Sequence, residues 1–287
     1  MKTKLILAAV AALAATSASA ADLGKGKKAP AAPVYVSPWD FTVGAGVTSN
    51  YLFRGISQSN NAPSVNANAE IRYTFNDTFA GYVGIAGSSI KLTNQQPSPS
   101  MELDVMGGVR ATLGAFTVDV GGIGYIYPNH TTGAIFPTNP TFWEGYVKTS
   151  YALNDTITLG LNGFFTPSFL DTGASGQYVA GTFAAKLPMD LGFSAELGRQ
   201  FFGRPDSVHK LNAGNTIDLP SYTYWNAGVN YTYKIATLDL RYHDTTLNKT
   251  KCAYITGTTI TGGSTSKYCG AAFVATLSFA LTSKDLK

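Results

Sequence analysis

The sequence predicts an all-β chain, a 12-stranded antiparallel transmembrane β-barrel with short periplasmic turns and longer external loops. Three observations predict it. Residues 64–75 alternate without a break: Val65, Ala67, Ala69, Ile71, Tyr73 and Phe75 fall on odd positions, and Ser64, Asn66, Asn68, Glu70, Arg72 and Thr74 on even ones. Successive side chains of a strand point to opposite faces, so one face is apolar and the other polar. The same pattern recurs along the chain behind a secretory leader, and long and short connections alternate to its end.

Residues 1–20 read as a signal peptide. Lys2 and Lys4 open it, and Ala18-Ser19-Ala20 forms an A-x-A cleavage site, so the mature chain is expected to begin at Ala21. The apolar run between them is about ten residues, too short to cross a bilayer. No later run is apolar over the roughly eighteen residues that a membrane helix needs. Residues 21–38 are rich in Lys, Ala and Pro and show no strand period. Pro30, Pro33 and Pro38 lack the donor a strand requires, which predicts a flexible periplasmic arm. A solvated tether suits its lysines better than a peptidoglycan contact. The barrel is then 39–287, one domain with no internal linker.

Strands are expected at 39–52, 64–75, 78–88, 101–113, 116–127, 141–153, 156–166, 177–187, 190–201, 221–233, 237–245 and 270–281. The odd-numbered ones precede long segments, 54–63, 89–100, 128–140, 167–176, 202–220 and 246–269. The even-numbered ones precede the short turns Asn76-Asp77, Gly114-Ala115, Asn154-Asp155, Pro188-Met189 and Lys234-Ile235-Ala236. Short periplasmic turns, long external loops and an even strand number describe bacterial outer-membrane barrels, whereas a soluble β-sandwich gives no reason for such alternation.

Aromatic residues sort by strand end. The lipid face of the first strand reads Trp39, Phe41, Val43, Ala45, Val47, Ser49, Tyr51 and Phe53. Tyr73, Phe75, Phe116, Tyr151, Tyr231 and Tyr233 mark the periplasmic end, and Trp143, Phe165, Trp225 and Tyr242 the external end. Two aromatic girdles flanking an aliphatic band are expected at the two membrane interfaces. The last strand departs from the usual pattern, because six polar-leaning residues, 282–287, follow Phe279 and Leu281.

Composition agrees with an exported β protein: 13% charged, 12% aromatic and 30 glycines. The formal net charge of +4 comes from the leader and the arm, not the barrel. Setting aside Lys2, Lys4, Lys25, Lys27, Lys28 and Asp22 takes 21 bases and 17 acids to 16 of each. Nothing therefore points to nucleic acid.

The segment Ser49-Asn50-Tyr51-Leu52-Phe53-Arg54-Gly55-Ile56-Ser57-Gln58 resembles the opening motif of the TorF-type family of porin-like proteins. These are exported proteobacterial chains predicted to form outer-membrane barrels. The family pattern S-x-Y-x-F-R-G-x-S-Q is met by Ser49, Tyr51, Phe53, Arg54, Gly55, Ser57 and Gln58. The resemblance implies location and fold rather than substrate. The start at Ala21-Asp22-Leu23, with Lys28-Ala29-Pro30 and Ala32-Pro33-Val34-Tyr35, also resembles mature starts of alphaproteobacterial outer-membrane proteins.

Inward positions carry Asp40, Glu70, Arg72, Glu102, Asp104, Arg110, Asp119, Glu144, Lys148, Glu196, Asp239 and Arg241, eight acids against four bases. Buried charges must be paired or hydrated. Two readings stay open: a salt-bridge network that packs the barrel shut, and a charged pore lining. Inward glycines (Gly44, Gly46, Gly84, Gly108, Gly160, Gly192, Gly228) favour open volume. Arg54 either binds an anionic group at the mouth or braces a loop by pairing with a carboxylate, and Gly55 beside it favours bracing. The three histidines, His130, His209 and His243, have no serine in a recognisable motif, so no enzyme activity is expected. Cys252 and Cys269 share the last long loop, and an exported chain should join them as a disulfide. No third cysteine or nearby histidine suggests a metal, and no cofactor motif is present. The composite expectation is an outer-membrane porin-like channel for small hydrophilic solutes, weakly cation-preferring, surrounded by outer-membrane lipid and lipopolysaccharide. The alternative is a closed structural or partner-binding barrel.

Overall fold

Alternation of apolar and polar residues becomes a closed wall. The computed structural model describes residues 37–92, 99–128, 140–205, 218–256 and 265–285. Twelve long strands form one barrel in which each pairs antiparallel with its chain neighbour. They are β1 (Trp39–Thr48), β4 (Ser64–Thr74), β5 (Phe79–Ser89), β6 (Met101–Leu113), β7 (Phe116–Ile126), β8 (Phe142–Ala152), β9 (Ile157–Thr166), β10 (Gly176–Lys186), β11 (Leu191–Phe202), β12 (Tyr222–Tyr233), β13 (Ala236–Thr245) and β14 (Ala272–Thr282). The seam closes between β1 and β14, from Thr42↔Thr282 to Thr48↔Thr276. A closed barrel leaves no unpaired edge.

Eleven of these strands begin and end within two residues of the expected ranges. The first does not: β1 stops at Thr48 rather than 52. A two-stranded hairpin follows inside the first long loop, β2 (Leu52–Phe53) and β3 (Ile56–Ser57). Two further elements were not foreseen, a 3₁₀ turn at Phe169–Asp171 and α1 (Lys249–Thr256) in the last long loop. Cys252 on α1 is joined to Cys269 as a disulfide, as expected from the sequence.

The short turns have local causes. Asn76 Oδ1 accepts from the backbone N–H groups of Thr78 and Phe79, both at 2.9 Å. Asn154 Oδ1 does the same for Thr156 and Ile157, both at 2.8 Å. The Asn-Asp-Thr sequence thus builds one side-chain-capped turn twice. These turns, the start of β1 and the end of β14 lie at one rim, the short-turn end; the long loops lie at the other.

The two faces differ sharply. Val43, Val47, Val65, Ile71, Val83, Ile85, Val120, Val147, Leu161, Val179, Val229 and Leu240 are exposed on the outside. Trp39, Phe75, Phe116, Tyr151, Tyr231 and Tyr233 are exposed near the short-turn end, and Trp143, Phe165 and Trp225 near the long-loop end. Among the described residues no helix is long and apolar enough to cross a membrane. The packed core sits inside the barrel toward the long-loop end, built from Tyr51, Ile123, Tyr125, Phe142, Phe164, Tyr178, Tyr222, Tyr224 and their neighbours.

Candidate functional site in the barrel interior

The segment after β1 turns inward. Sequence periodicity put Tyr51 and Phe53 on the lipid face, and the structure corrects this. Ser49 still pairs with β14, donating to the Ala275 carbonyl at 2.9 Å, but Tyr51 is only 6% exposed and Phe53 packs against the interior cluster. The cause is the turn that follows. Arg54 and Gly55 have φ of 47° and 83°, the pair of positive values that a two-residue hairpin turn of type I′ needs. Gly55 is the residue that fits there. A Cβ on it would lie 2.6 Å from Tyr224 Cδ2 and collide with the Thr245 methyl.

Tyr51, Phe53, Ser57 and Gln58 of the motif, with Asn50 and Ser59, hold this hairpin in place. Asn50 Oδ1 accepts from Ser57 Oγ at 2.7 Å and Ser59 Oγ at 3.1 Å. The Tyr51 N–H donates to Ser59 Oγ at 2.9 Å, and the Gln58 N–H to the Tyr51 carbonyl at 2.8 Å. Ser57 N–H reaches the Tyr268 carbonyl at 2.8 Å, which ties the hairpin to the disulfide-closed loop. The Phe53 ring meets Tyr125 edge-on at 5.4 Å.

At the hairpin tip, Arg54 Nη1 and Nη2 donate to Glu144 Oε1 and Oε2 at 2.9 and 2.6 Å. Nη1 also donates to Gln200 Oε1 at 2.8 Å. The guanidinium lies 4.4 Å from the Tyr178 ring centre, 4.9 Å from Phe164 and 4.7 Å from Phe53. Tyr222 Oη donates to the Arg54 carbonyl at 3.1 Å. Arg54 therefore braces a loop by pairing with a carboxylate, the role that the adjacent glycine favoured. The pairing crosses the barrel interior, which periodicity could not show.

The twelve charged positions all face inward, in different surroundings. Arg72 pairs with Asp40 at 2.5 Å, Arg110 with Asp119 at 2.9 Å and Arg241 with Asp239 at 2.9 Å. Arg241 also reaches Asn226 Oδ1 at 2.6 Å and Ser194 Oγ at 2.7 Å. Glu196 accepts from the Tyr178 hydroxyl. The Lys148 ammonium sits 4.2 Å from the Tyr146 ring centre and 5.3 Å from that of Phe164. Glu70 is half-buried opposite Thr42 and Gly84. Glu102 and Asp104 are fully buried near the long-loop end. Glu102 Oε1 accepts from the Tyr51 hydroxyl, and Oε2 from Tyr127 at 2.7 Å.

Inward glycines do not leave the open volume that the sequence suggested. A Cβ at Gly108 would lie 2.8 Å from the Tyr82 hydroxyl, and one at Gly192 2.7 Å from Asn230 Oδ1. The space is taken by neighbouring side chains. Open volume lies instead at the short-turn end, in a water-accessible cavity of about 350 Å³ lined by Asp40, Arg72, Arg110, Asp119 and Lys148 among others. Past Lys148 the interior is filled by Tyr146, Phe164, Tyr178 and Arg54. His243 Nδ1 shares a 2.8 Å hydrogen bond with Tyr224 Oη; His130 and His209 lie outside the described residues, as do the leader and nearly all of the arm.

Sequence reasoning missed Gln200 and the interior tyrosines Tyr125, Tyr127, Tyr178 and Tyr222. Their signal was present: each occupies an inward position of its strand, or extends it, near the long-loop end.

Residues 32–273 match a family described as a bacterial protein of unknown function, Gcw_chp. No curated protein matches the chain. Among solved structures, a chain from work on in-meso crystallization of membrane proteins matches at TM-score 0.51 and 12% identity, over 85% of this chain and 84% of that one. The NanC porin matches at 0.47 and 11%, over 84% and 98%. An outer-membrane channel from Pseudomonas putida F1 matches at 0.47 and 10%, over 87% and 97%. At these identities the likeness is one of fold.

Proposed function

The chain belongs to the Gcw_chp family of bacterial proteins of unknown function, and from that premise we propose that it is a porin-like channel of the outer membrane, narrowed by the Arg54 hairpin. One observation carries the reading. An apolar outer wall encloses a charged cavity at the short-turn end, and what stops that cavity is the inward wall side chains Tyr146, Phe164 and Tyr178 packed with Arg54 of the loop hairpin. An outward apolar band with aromatic girdles suits lipid, and an inward polar face suits passage of small hydrophilic solutes. The motif shared with TorF-type porin-like proteins supports the same location. In this reading residues 1–20 are removed on export, and residues 21–38 lie in the periplasm below the short turns.

The packed long-loop half favours a second reading, a barrel that stays shut and serves the envelope or a partner. Both readings meet in one experiment, planar-bilayer recording of the refolded chain beside a variant whose residues 52–57 are replaced by a short Gly-Ser turn. Brief or small openings in the unmodified protein, and larger ones in the variant, support the channel. Silence of both, in protein shown by heat-modifiable migration to be folded, overturns it in favour of the shut barrel.

A further inference from the structure

We propose that Glu102 and Asp104 form a buried calcium-binding site beneath the Arg54 hairpin. The proposal does not depend on whether the barrel conducts. β6 puts both carboxylates on its inward face, two positions apart, and both are buried, at 1% and 0% exposure. Four other interior carboxylates meet an arginine: Asp40, Asp119, Glu144 and Asp239. Among the described residues Glu102 and Asp104 meet none. Glu102 is held by two phenol hydroxyls, one from Tyr51 in the hairpin segment and one from Tyr127 beyond β7. Among the described residues Asp104 has no hydrogen-bond donor at either oxygen.

A buried carboxylate with neither donor nor counter-charge is strongly disfavoured. Asp104 is such a group, and beside the Glu102 carboxylate, which has hydroxyl donors but no counter-charge, it matches one divalent cation. The donors are carboxylate oxygens with phenol oxygens alongside, and oxygen-only sets select hard cations. Calcium fits better than magnesium, which demands near-ideal octahedral geometry, whereas two carboxylates from one strand face make an irregular set. Among the described residues no third acid, histidine or cysteine joins them as a metal-binding group, so the cation keeps water ligands and binds weakly. Because Tyr51 leans on Glu102, an occupied site also seats the hairpin.

The test uses the full-length mature chain, refolded in detergent free of lipopolysaccharide and stripped with EGTA. Calcium chloride is titrated by calorimetry, with magnesium chloride as the comparison. We expect one calcium per chain, with a dissociation constant of roughly 10⁻⁴–10⁻³ M, and weaker magnesium binding. Asp104→Asn and Glu102→Gln should each weaken binding at least tenfold, while Glu70→Gln, elsewhere in the interior, leaves it unchanged. Two variants guard against a folding defect in one. No heat with wild-type protein, equal binding of magnesium, or unaltered calcium binding in both site variants overturns the proposal. A calcium-silent protein whose thermal midpoint depends on pH, with the dependence abolished by Asp104→Asn, would assign the site to a proton instead and equally overturn it.

Discussion

Arg54 and Glu144 stand 90 positions apart in sequence and meet as a two-bond fork inside the barrel, with side-chain exposures of 7% and 0%. The planar guanidinium matches the carboxylate as a lysine would not. Removing one partner of a buried pair leaves the other charge stranded, at a cost of roughly 3–5 kcal/mol. Removing Arg54 strands Glu144, which is fixed in the wall strand β8, and cuts the tie that holds the hairpin tip to the wall. Arg54→Ala is therefore expected to raise single-channel conductance or opening frequency and to lower the thermal midpoint. Arg54→Lys should fall between. Unchanged recordings in Arg54→Ala would show that the hairpin does not restrict passage.

The hairpin turn makes its own prediction. Gly55 combines a φ of 83° with contact against Tyr224 and Thr245. An alanine there meets both left-handed strain and crowding, about 1–2 kcal/mol for the first and about 1–3 for the second. Gly55→Ala should expose residues 49–63 to limited proteolysis while the barrel strands stay intact by circular dichroism. A cleavage pattern identical to wild type would count against the hairpin's dependence on that glycine.

How the sequence encodes these parts explains what was readable in it. Period-two alternation is a local signal repeated over many residues, so the twelve strands, their faces and the alternating connections could be read directly. Tyr51 and Phe53 obeyed the same alternation, and it misled, because the hairpin turn at Arg54-Gly55 lies just beyond them and redirects the chain. An Arg-Gly turn lacks the Asn-Gly or Asp-Gly signal that marks most two-residue hairpins. The charged interior residues were legible as inward-facing, but their partners were not. Arg54–Glu144 and Tyr51–Glu102 cross the barrel, and no spacing rule connects such pairs. The inward glycines carried the opposite meaning to the one expected, since each makes room for a neighbour's side chain.

Faces of the wall can be tested at neighbouring positions. Ala69 lies opposite Val43 and Ile85 on the outside, and Asn68 opposite Gly44 and Ala86 on the inside. An arginine at a lipid-facing midplane position costs roughly 2–4 kcal/mol, whereas interior positions tolerate charge. Ala69→Arg should reduce the folded, heat-modifiable band in an outer-membrane fraction, and Asn68→Arg should leave it near wild type. Equal yields of the two would mean that the outer wall does not face lipid.

Ion preference depends on which interior charges lack a partner. Four acids of the twelve charged positions are held by arginines, Arg54, Arg72, Arg110 and Arg241. That leaves Glu70, Glu102, Asp104 and Glu196 against the ammonium of Lys148, which lies over aromatic rings. The excess is acidic, and a low-dielectric lining raises the local concentration of the opposite ion. The expected outcome is a weak cation preference, read as the reversal potential under a salt gradient. Glu70→Gln with Glu196→Gln should reduce it, since both acids lie away from the proposed calcium site. Calcium itself, by neutralising Glu102 and Asp104, should reduce it as well. Screening sets the scale: at physiological salt the Debye length is about 8 Å, and at 1 M about 3 Å, so high salt should erase most of the preference. An anion preference in the unmodified protein would place Lys148 and the arginines at the narrowest point and refute the assignment.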